Sequence, residues 1–384
     1  MIVGTENEIV FDKRVSLNGE GNLTVDGNAE HRVFRVGMAV GIVELRGITV
    51  TGGKAELRGG GIVNEGALEL IECRVSGNES REAGGIFNAG LLTMTNSELL
   101  ENAAESGGGG VLNVGTLLLI DSAVSGNAAV FGGGISNAQF ATLTNSEVSG
   151  NSAELEGGGI SNTGRLTLTD STVSGNTGAF GGGIVTSGDS TTLVNSTVSG
   201  NTGRDGGGIA NYSGGTLMLS NSTVSGNSAD NSGGGIFNDD MMVLANSTVA
   251  GNTSDVGRAL SGTPDDRSQL WSSLIEGDCA FEEGSPGFEG QYNIESPGDT
   301  CGLVAAGNDL VEISAQQLNL GPLEDNGGPT MTHALLTEPA VSVAIDRIPP
   351  EDCVDGNTLV TSDQRGFPRP VGDGCDVGAF ELQP

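Results

Sequence analysis

The side chains of this chain that could carry chemistry are mostly carboxylates with few basic partners. Asp121 and Asp170 stand at equivalent points of a repeat, and the pairs Asp239/Asp240 and Asp265/Asp266 lie in polar stretches. Paired acids are what glycoside hydrolysis uses, one as general acid and the other as base or nucleophile. A polysaccharide lyase needs instead clustered carboxylates for calcium and a basic residue to take the proton. Lys13 and Lys54 are the two lysines and His31 and His333 the two histidines, so arginine is the base left to such a lyase along most of the chain. Arg165, Arg204 and Arg258 are the candidates. Near the end, Asp346, Asp363, Arg365, Arg369, Asp376 and Glu381 can form a buried ion-pair network, because guanidinium forks match carboxylates. A cation site built from those aspartates is the sharper alternative.

Most of these candidates have a plainer reading. The position of Asp121 and Asp170 is Asn96, Asn145, Asn195, Asn221 and Asn246 elsewhere, so both aspartates read as members of a turn ladder. The two acidic pairs read as solvated turns. Aromatic platforms for sugar are sparse: Trp271, Tyr212 and Tyr292 are scattered, Phe87 and Phe237 are far apart, and Phe131 and Phe180 read as side chains covering turns. No catalytic or cofactor-binding residue is assigned, and no residues are specified for a metal.

The elements that must position any site follow from a repeat. Val25, Val50, Val75, Leu99, Val124, Val148, Val173, Val198, Val224, Val249 and Leu274 recur at steps of 24 to 26 residues. A second ladder runs from Ile62 through Ile86 and Val111 to Ile236, and a third from Leu45 through Leu70 and Met94 to Leu244. Three short alternating segments per period, broken by Gly, Asn and Ser, predict three strands and three turns in every coil. The fold expected is therefore all-β, a right-handed parallel β-helix of about 11 coils over residues 1–278, with like residues stacked at ~4.8 Å. Asparagines after two of the strands, such as Asn78, Asn102 and Asn127 or Asn64, Asn88 and Asn113, read as structural ladders whose amides bond their own copies.

Composition agrees and narrows the partners. With 66 Gly, 4% aromatic and 36% hydrophobic residues, the core has to be built from small repeated layers. A net charge of -33 repels nucleic acid and anionic lipid, while attracting cations, calcium among them. No apolar run approaches the ~18 residues of a membrane span, and residues 1–20 lack the pattern of a signal peptide, so the chain reads as a mature or trimmed form. Cys279, Cys301, Cys353 and Cys375 cluster late, which suggests two disulfides and an oxidising compartment. Residues 279–384 are expected to form a disulfide-bearing segment that caps the last coil, since polar Gln269 arrives where the next leucine after Leu244 is due.

The run LTVDGNAEHRVFRVGMAVGIVELRGITVTGG at 23–53 and units such as GGGIFNAGLLTMTNS resemble the right-handed parallel β-helix repeats of large bacterial surface proteins. They are similar, less closely, to the repeats of chlamydial polymorphic outer-membrane proteins. LGPLEDNGGPTMTHALL at 320–336, SVAID at 342–346, DQRGFPRP at 363–370 and CDVGAFE at 375–381 resemble a choice-of-anchor C-terminal domain, with Val343 where that domain usually has proline. The resemblance implies export, surface display and an adhesive or structural role without established catalytic residues. The function expected is a non-catalytic extracellular scaffold, associating with itself through its strand edges or with surface polysaccharide; the alternative is a polysaccharide-active lyase or hydrolase.

Sequential pairing closes the shortest loops, so Cys279 should join Cys301 and Cys353 should join Cys375. Cys73, in the inward serine position matched by Ser97 and Ser146, should stay a free buried thiol. Non-reducing peptide mapping should recover those two bridges, and a bulky thiol reagent should leave the native protein unlabelled. Crossed bridges or rapid labelling of Cys73 would contradict the assignment.

Overall fold

The computed structural model describes every residue except 1, 4–7, 39–40, 213, 286, 304–307 and 356–357. The fold is a parallel β-solenoid of about 11 turns with almost no helix. The chain divides into two compact units, residues 1–167 with 173–185, and residues 168–172 with 186–384.

In the first unit the three apolar ladders are strand-pair registers. Leu70, Met94, Leu119 and Leu143 pair in succession, as do Val75, Leu99, Val124 and Val148, and Ile62, Ile86, Val111, Ile135 and Ile160. All of these side chains are 0% exposed. Alternation explains this, because every second side chain of a strand points to the same face and coil-to-coil pairing lays like residues over one another.

A further short strand per coil was not evident from the repeat. Lys54–Arg58, Glu79–Glu82, Ala103–Ala104, Ala128–Phe131 and Ser152–Glu156 pair in parallel as a sheet of their own. Their inward residues are small, Ser80, Ala129 and Ala153, and the outward ones vary freely, so no apolar ladder marks them in the sequence.

Buried amides lock the register. Asn78, Asn102, Asn127, Asn151 and Asn176 each pass a side-chain hydrogen bond to the next at 2.9–3.0 Å. Asn64, Asn88, Asn113, Asn137 and Asn162 do the same at 2.7 Å. Both ladders are as the repeat predicts. A serine ladder accompanies them: the Ser97 hydroxyl accepts from the Cys73 amide, Ser122 from Ser97 and Ser146 from Ser122. Cys73 is free, 3% exposed, and its thiol is pushed up by burial.

The second unit uses the same ladders and extends them beyond expectation. Leu193, Leu219, Leu244 and Leu270 pair in series, and so do Val198, Val224, Val249 and Ile275. The coil after Val249 is thus one residue longer than the spacing suggests: Leu270, not Gln269, follows Leu244, and Ile275, not Leu274, takes the inward place. Leu274 pairs with outward Thr248 instead. Nor does pairing stop at 278, because Cys279–Phe281, Glu289–Gln291 and Ile294–Ser296 continue it, and Leu310 bridges Ile294. The inward member below Ile275 is Glu295, 0% exposed, whose carboxylate accepts from the Thr300 amide and hydroxyl and the Cys301 amide.

The remaining C-terminal residues pack on the side of the coils. They lie against the outward side of strands Thr197–Ser199, Thr223–Ser225 and Thr248–Ala250. Gln364 receives a hydrogen bond from the Thr223 hydroxyl at 2.6 Å and gives one to Thr197 at 2.9 Å, while the Ala379 amide bonds Thr248. Gly321 carbonyl can only accept, so His333 Nδ1 donates to it and Nε2 accepts from the Ser225 hydroxyl, both at 2.7 Å. Leu274, Ile294, Leu318, Leu335, Ile348, Val377 and Phe380 form the apolar cluster beneath. The bridges Cys279–Cys301 and Cys353–Cys375 are both present, as the spacing predicts.

Val173 is 0% exposed within the first unit, and Val173→Asp should cost several kcal/mol by burying an unpaired charge. A clear fall in the thermal midpoint is the expected outcome; an unchanged midpoint would refute the inward register.

Candidate binding groove

The groove grows out of the segment Gly-Gly-Gly-Ile-X-Asn. Ile and Asn point inward in strands Ile62–Asn64, Ile86–Asn88, Val111–Asn113, Ile135–Asn137 and Ile160–Asn162, so the middle residues face outward: Val63, Phe87, Leu112, Ser136 and Ser161. Before each strand the chain bends at a residue in left-handed conformation, glycine at 59, 108, 132 and 157 and alanine at 83. At Gly132, with φ +59°, a Cβ would lie 2.3 Å from the Ile135 carbonyl oxygen, a crowding that favours glycine there. The bend stands the end of the preceding short strand, Arg58, Glu82, Phe131 or Glu156, beside the outward face.

Together these surfaces enclose an open groove of about 440 Å³ in the first unit. One end is closed and neutral. Phe87, 6% exposed, packs with Val63, Ala83 and Leu112, and the Arg58 guanidinium sits 4.8 Å from its ring centre while bonding Glu82 at 2.8 Å. The other end is open, with Phe131 36% exposed and Glu156 paired beside it in the parallel ladder. Ser136, Ser161 and Thr163 add hydroxyls. The floor can therefore offer ring edge, hydroxyls and a carboxylate, while the acid and base that it brings together, Glu82 and Arg58, are spent on each other as an ion pair.

The residues nominated from the sequence lie elsewhere. Asp121 and Asp170 have φ +49° and +51°, alongside Asn96, Asn145, Asn195, Asn221 and Asn246 at +46° to +51°. Asn145 donates to Asp121 and Asn195 to Asp170, so both aspartates belong to the turn ladder. Asp239 accepts from Thr263, Asp240 from the Gly214 and Met241 amides, and Asp265 is forked by Arg267. Of the candidate bases, Arg204 pairs with Asp205, and Arg258 pairs with Asp278, whose hydrogen bond raises the guanidinium further from any basic role. Arg165 is exposed on its strand.

The C-terminal cluster forms the ion-pair network. Arg365 bonds Asp363 at 2.7–2.8 Å and Arg369 bonds Glu381 at 3.0 Å, all buried. Asp346 accepts from the Asp373 and Gly374 amides, and Asp376 from those of Asp346 and Leu382. Among the described residues no three His, Cys, Asp or Glu side chains converge as a metal site requires. Burial pushes Glu381 up, and burial first and the Glu381 charge second push Asp376 up to about 7.

Two associations were not foreseen. Phe131 lines the groove rather than merely covering a turn, and Tyr212 and Phe237, taken as scattered, sit with ring centres 5.6 Å apart in the second unit. The signal was available in principle: Phe131 immediately precedes a glycine run and Phe87 lies between an inward Ile and an inward Asn.

No protein-family model and no curated protein matches the chain in sequence. Among solved structures it is similar to the crystal structure of pectate lyase Pel9A, at 12% identity and a TM-score of 0.48, over 99% of this chain and 98% of that one. The likeness is one of fold alone.

Because Asp376 binds its proton more tightly folded than unfolded, the folded state holds more protons between the ordinary carboxylate value and about 7. Its contribution is complete below about pH 4 and is lost as pH rises through about 7. The second unit should therefore gain stability on acidification from neutrality, by at most about 1.4 kcal/mol per pH unit, and Asp376→Asn should flatten that slope. Denaturant melts of both proteins across this range check it; a slope unchanged by the substitution would contradict it.

Proposed function

We propose that the protein is a non-catalytic extracellular scaffold that holds a ligand along its repeated outer surface, in a structural or adhesive role. The observation that carries this reading is the state of the charged groups. Arg58, Arg204 and Arg258 are each paired with a carboxylate, and the acid and base that do meet in the groove, Glu82 and Arg58, are tied to each other as an ion pair. Catalysis needs a few groups in unlike environments, whereas stacked coils present similar surfaces step after step, which suits multivalent contact. The two disulfides favour an oxidising compartment outside the cell. No described helix is long and apolar enough to cross a membrane. The charge of -33 disfavours nucleic acid. Calcium would act, on this reading, as a diffuse counter-ion or a bridge between copies.

The lyase alternative retains one foothold in exposed Arg165. Incubating the protein with acidic polysaccharides and calcium, while following release of unsaturated sugars and retention of the intact polymer, separates the two. Intact polymer throughout is the expected outcome. Unsaturated products that vanish in Arg165→Ala would replace the scaffold with an enzyme.

A further inference from the structure

The groove has features that narrow its ligand beyond the scaffold reading, on which this inference rests. Its floor and wall run from the coil of Arg58 to that of Glu156 and Ser161, five successive coils. At ~4.8 Å per coil that is on the order of 20 Å, a length that suits a linear ligand better than a single small one. Ser136 and Ser161 are register partners, so their hydroxyls repeat along the groove at the coil step.

Charge decides what kind of chain fits. Arg58 is the one cation among the lining residues and is held by Glu82, which leaves Glu156 to set the local potential. A uronate, sulfate or phosphate polymer would meet an uncompensated carboxylate on a chain of net charge -33. An extended peptide gains most of its affinity by adding to a free strand edge, but the floor strands are already paired on both sides by the neighbouring coils. What remains is a ligand rich in hydroxyls, uncharged, and with flat apolar faces to lay on an aromatic ring.

We propose that this groove binds a neutral polysaccharide, with a sugar face against Phe131 and ring hydroxyls bonded by Glu156, Ser136 and Ser161. Phe131 is the anchor, being the exposed ring; Phe87 beneath Arg58 shapes the closed end.

The test is affinity electrophoresis of the full chain through gels containing a neutral β-glucan, a neutral galactomannan or polygalacturonate, with reducing ends assayed afterwards. At least one neutral polymer should retard the protein while polygalacturonate does not. Phe131→Ala should weaken that retardation about 2- to 12-fold, the value of one ring contact, and Phe131→Trp should preserve or strengthen it; circular dichroism confirms that each variant is folded. Should Phe131→Ala fail to fold, weaker binding by Phe131→Trp alone would count against the groove. Retardation by polygalacturonate only, by no neutral polymer, or without dependence on Phe131 overturns the inference, as does saturable binding of a fluorescent Phe- and Lys-bearing peptide that Phe131→Ala abolishes. New reducing ends overturn the scaffold reading instead, and leave the groove assignment standing if retardation still depends on Phe131.

Discussion

Everything in this molecule depends on one requirement: a polar group buried in one coil must be satisfied by its own copy in the next. An unpaired buried amide costs about 1–3 kcal/mol, more than the ~1 kcal/mol a typical hydrogen bond returns. Asn127 shows how tightly this binds the design. Its side chain donates to Asn151 and to the Leu99 and Ser125 carbonyls, while its oxygen accepts from both nitrogens of Asn102. Slipping one coil by one residue would orphan several such groups at once and turn an apolar ladder outward. The period is therefore enforced by polar accounting as much as by hydrophobic burial.

Where the repeat breaks, the same requirement is met only in part. Thr186 stands where an asparagine is due, and its hydroxyl bonds Thr191 at 2.6 Å, which leaves the Asn211 Oδ1 of the next coil buried without a hydrogen-bond partner. Glu295 ends the valine ladder as a carboxylate turned onto backbone amides. The C-terminal segment reads the Thr and Ser hydroxyls of the outer strands through Gln364 and His333, so outward positions that look merely polar in the repeat become a docking surface. The cost of this arrangement sits in Asp376 and Glu381: burial raises both, and the Glu381 charge raises Asp376 further.

What was legible in the sequence follows this division. The ladders of Ile86, Leu119 and Val148 and of Asn78 and Asn64 could be read because identical neighbours repeat the signal in every coil. The aspartates at 121 and 170 were legible as turn members for the same reason. Features that occur once, or are defined by what varies, were harder. The fourth strand has only small residues such as Ala129 to mark its inward side. The extra residue before Leu270 shifted the apparent ladder onto Leu274, which is buried for a different reason, beneath the C-terminal cluster. Groove residues such as Phe131 and Glu156 are distant in sequence and share no type, and their adjacency exists only through the coil register.

That register also separates what inheritance must keep from what it can rewrite. In the segment Gly-Gly-Gly-Ile-X-Asn, the left-handed bend, the inward isoleucine and the asparagine are held by the neighbouring coils, whereas X and the residue before the bend face outward and are free of the interior ladders. Most of the groove consists of such outward positions: Phe87, Leu112, Ser136 and Ser161 are all X, and Arg58, Glu82, Phe131 and Glu156 precede the bend. A lineage carrying this architecture can thus change its outer surface one side chain at a time without touching its core, and can lengthen that surface by duplicating whole coils, so that novelty of surface and constancy of fold are encoded at different letters of the same short phrase.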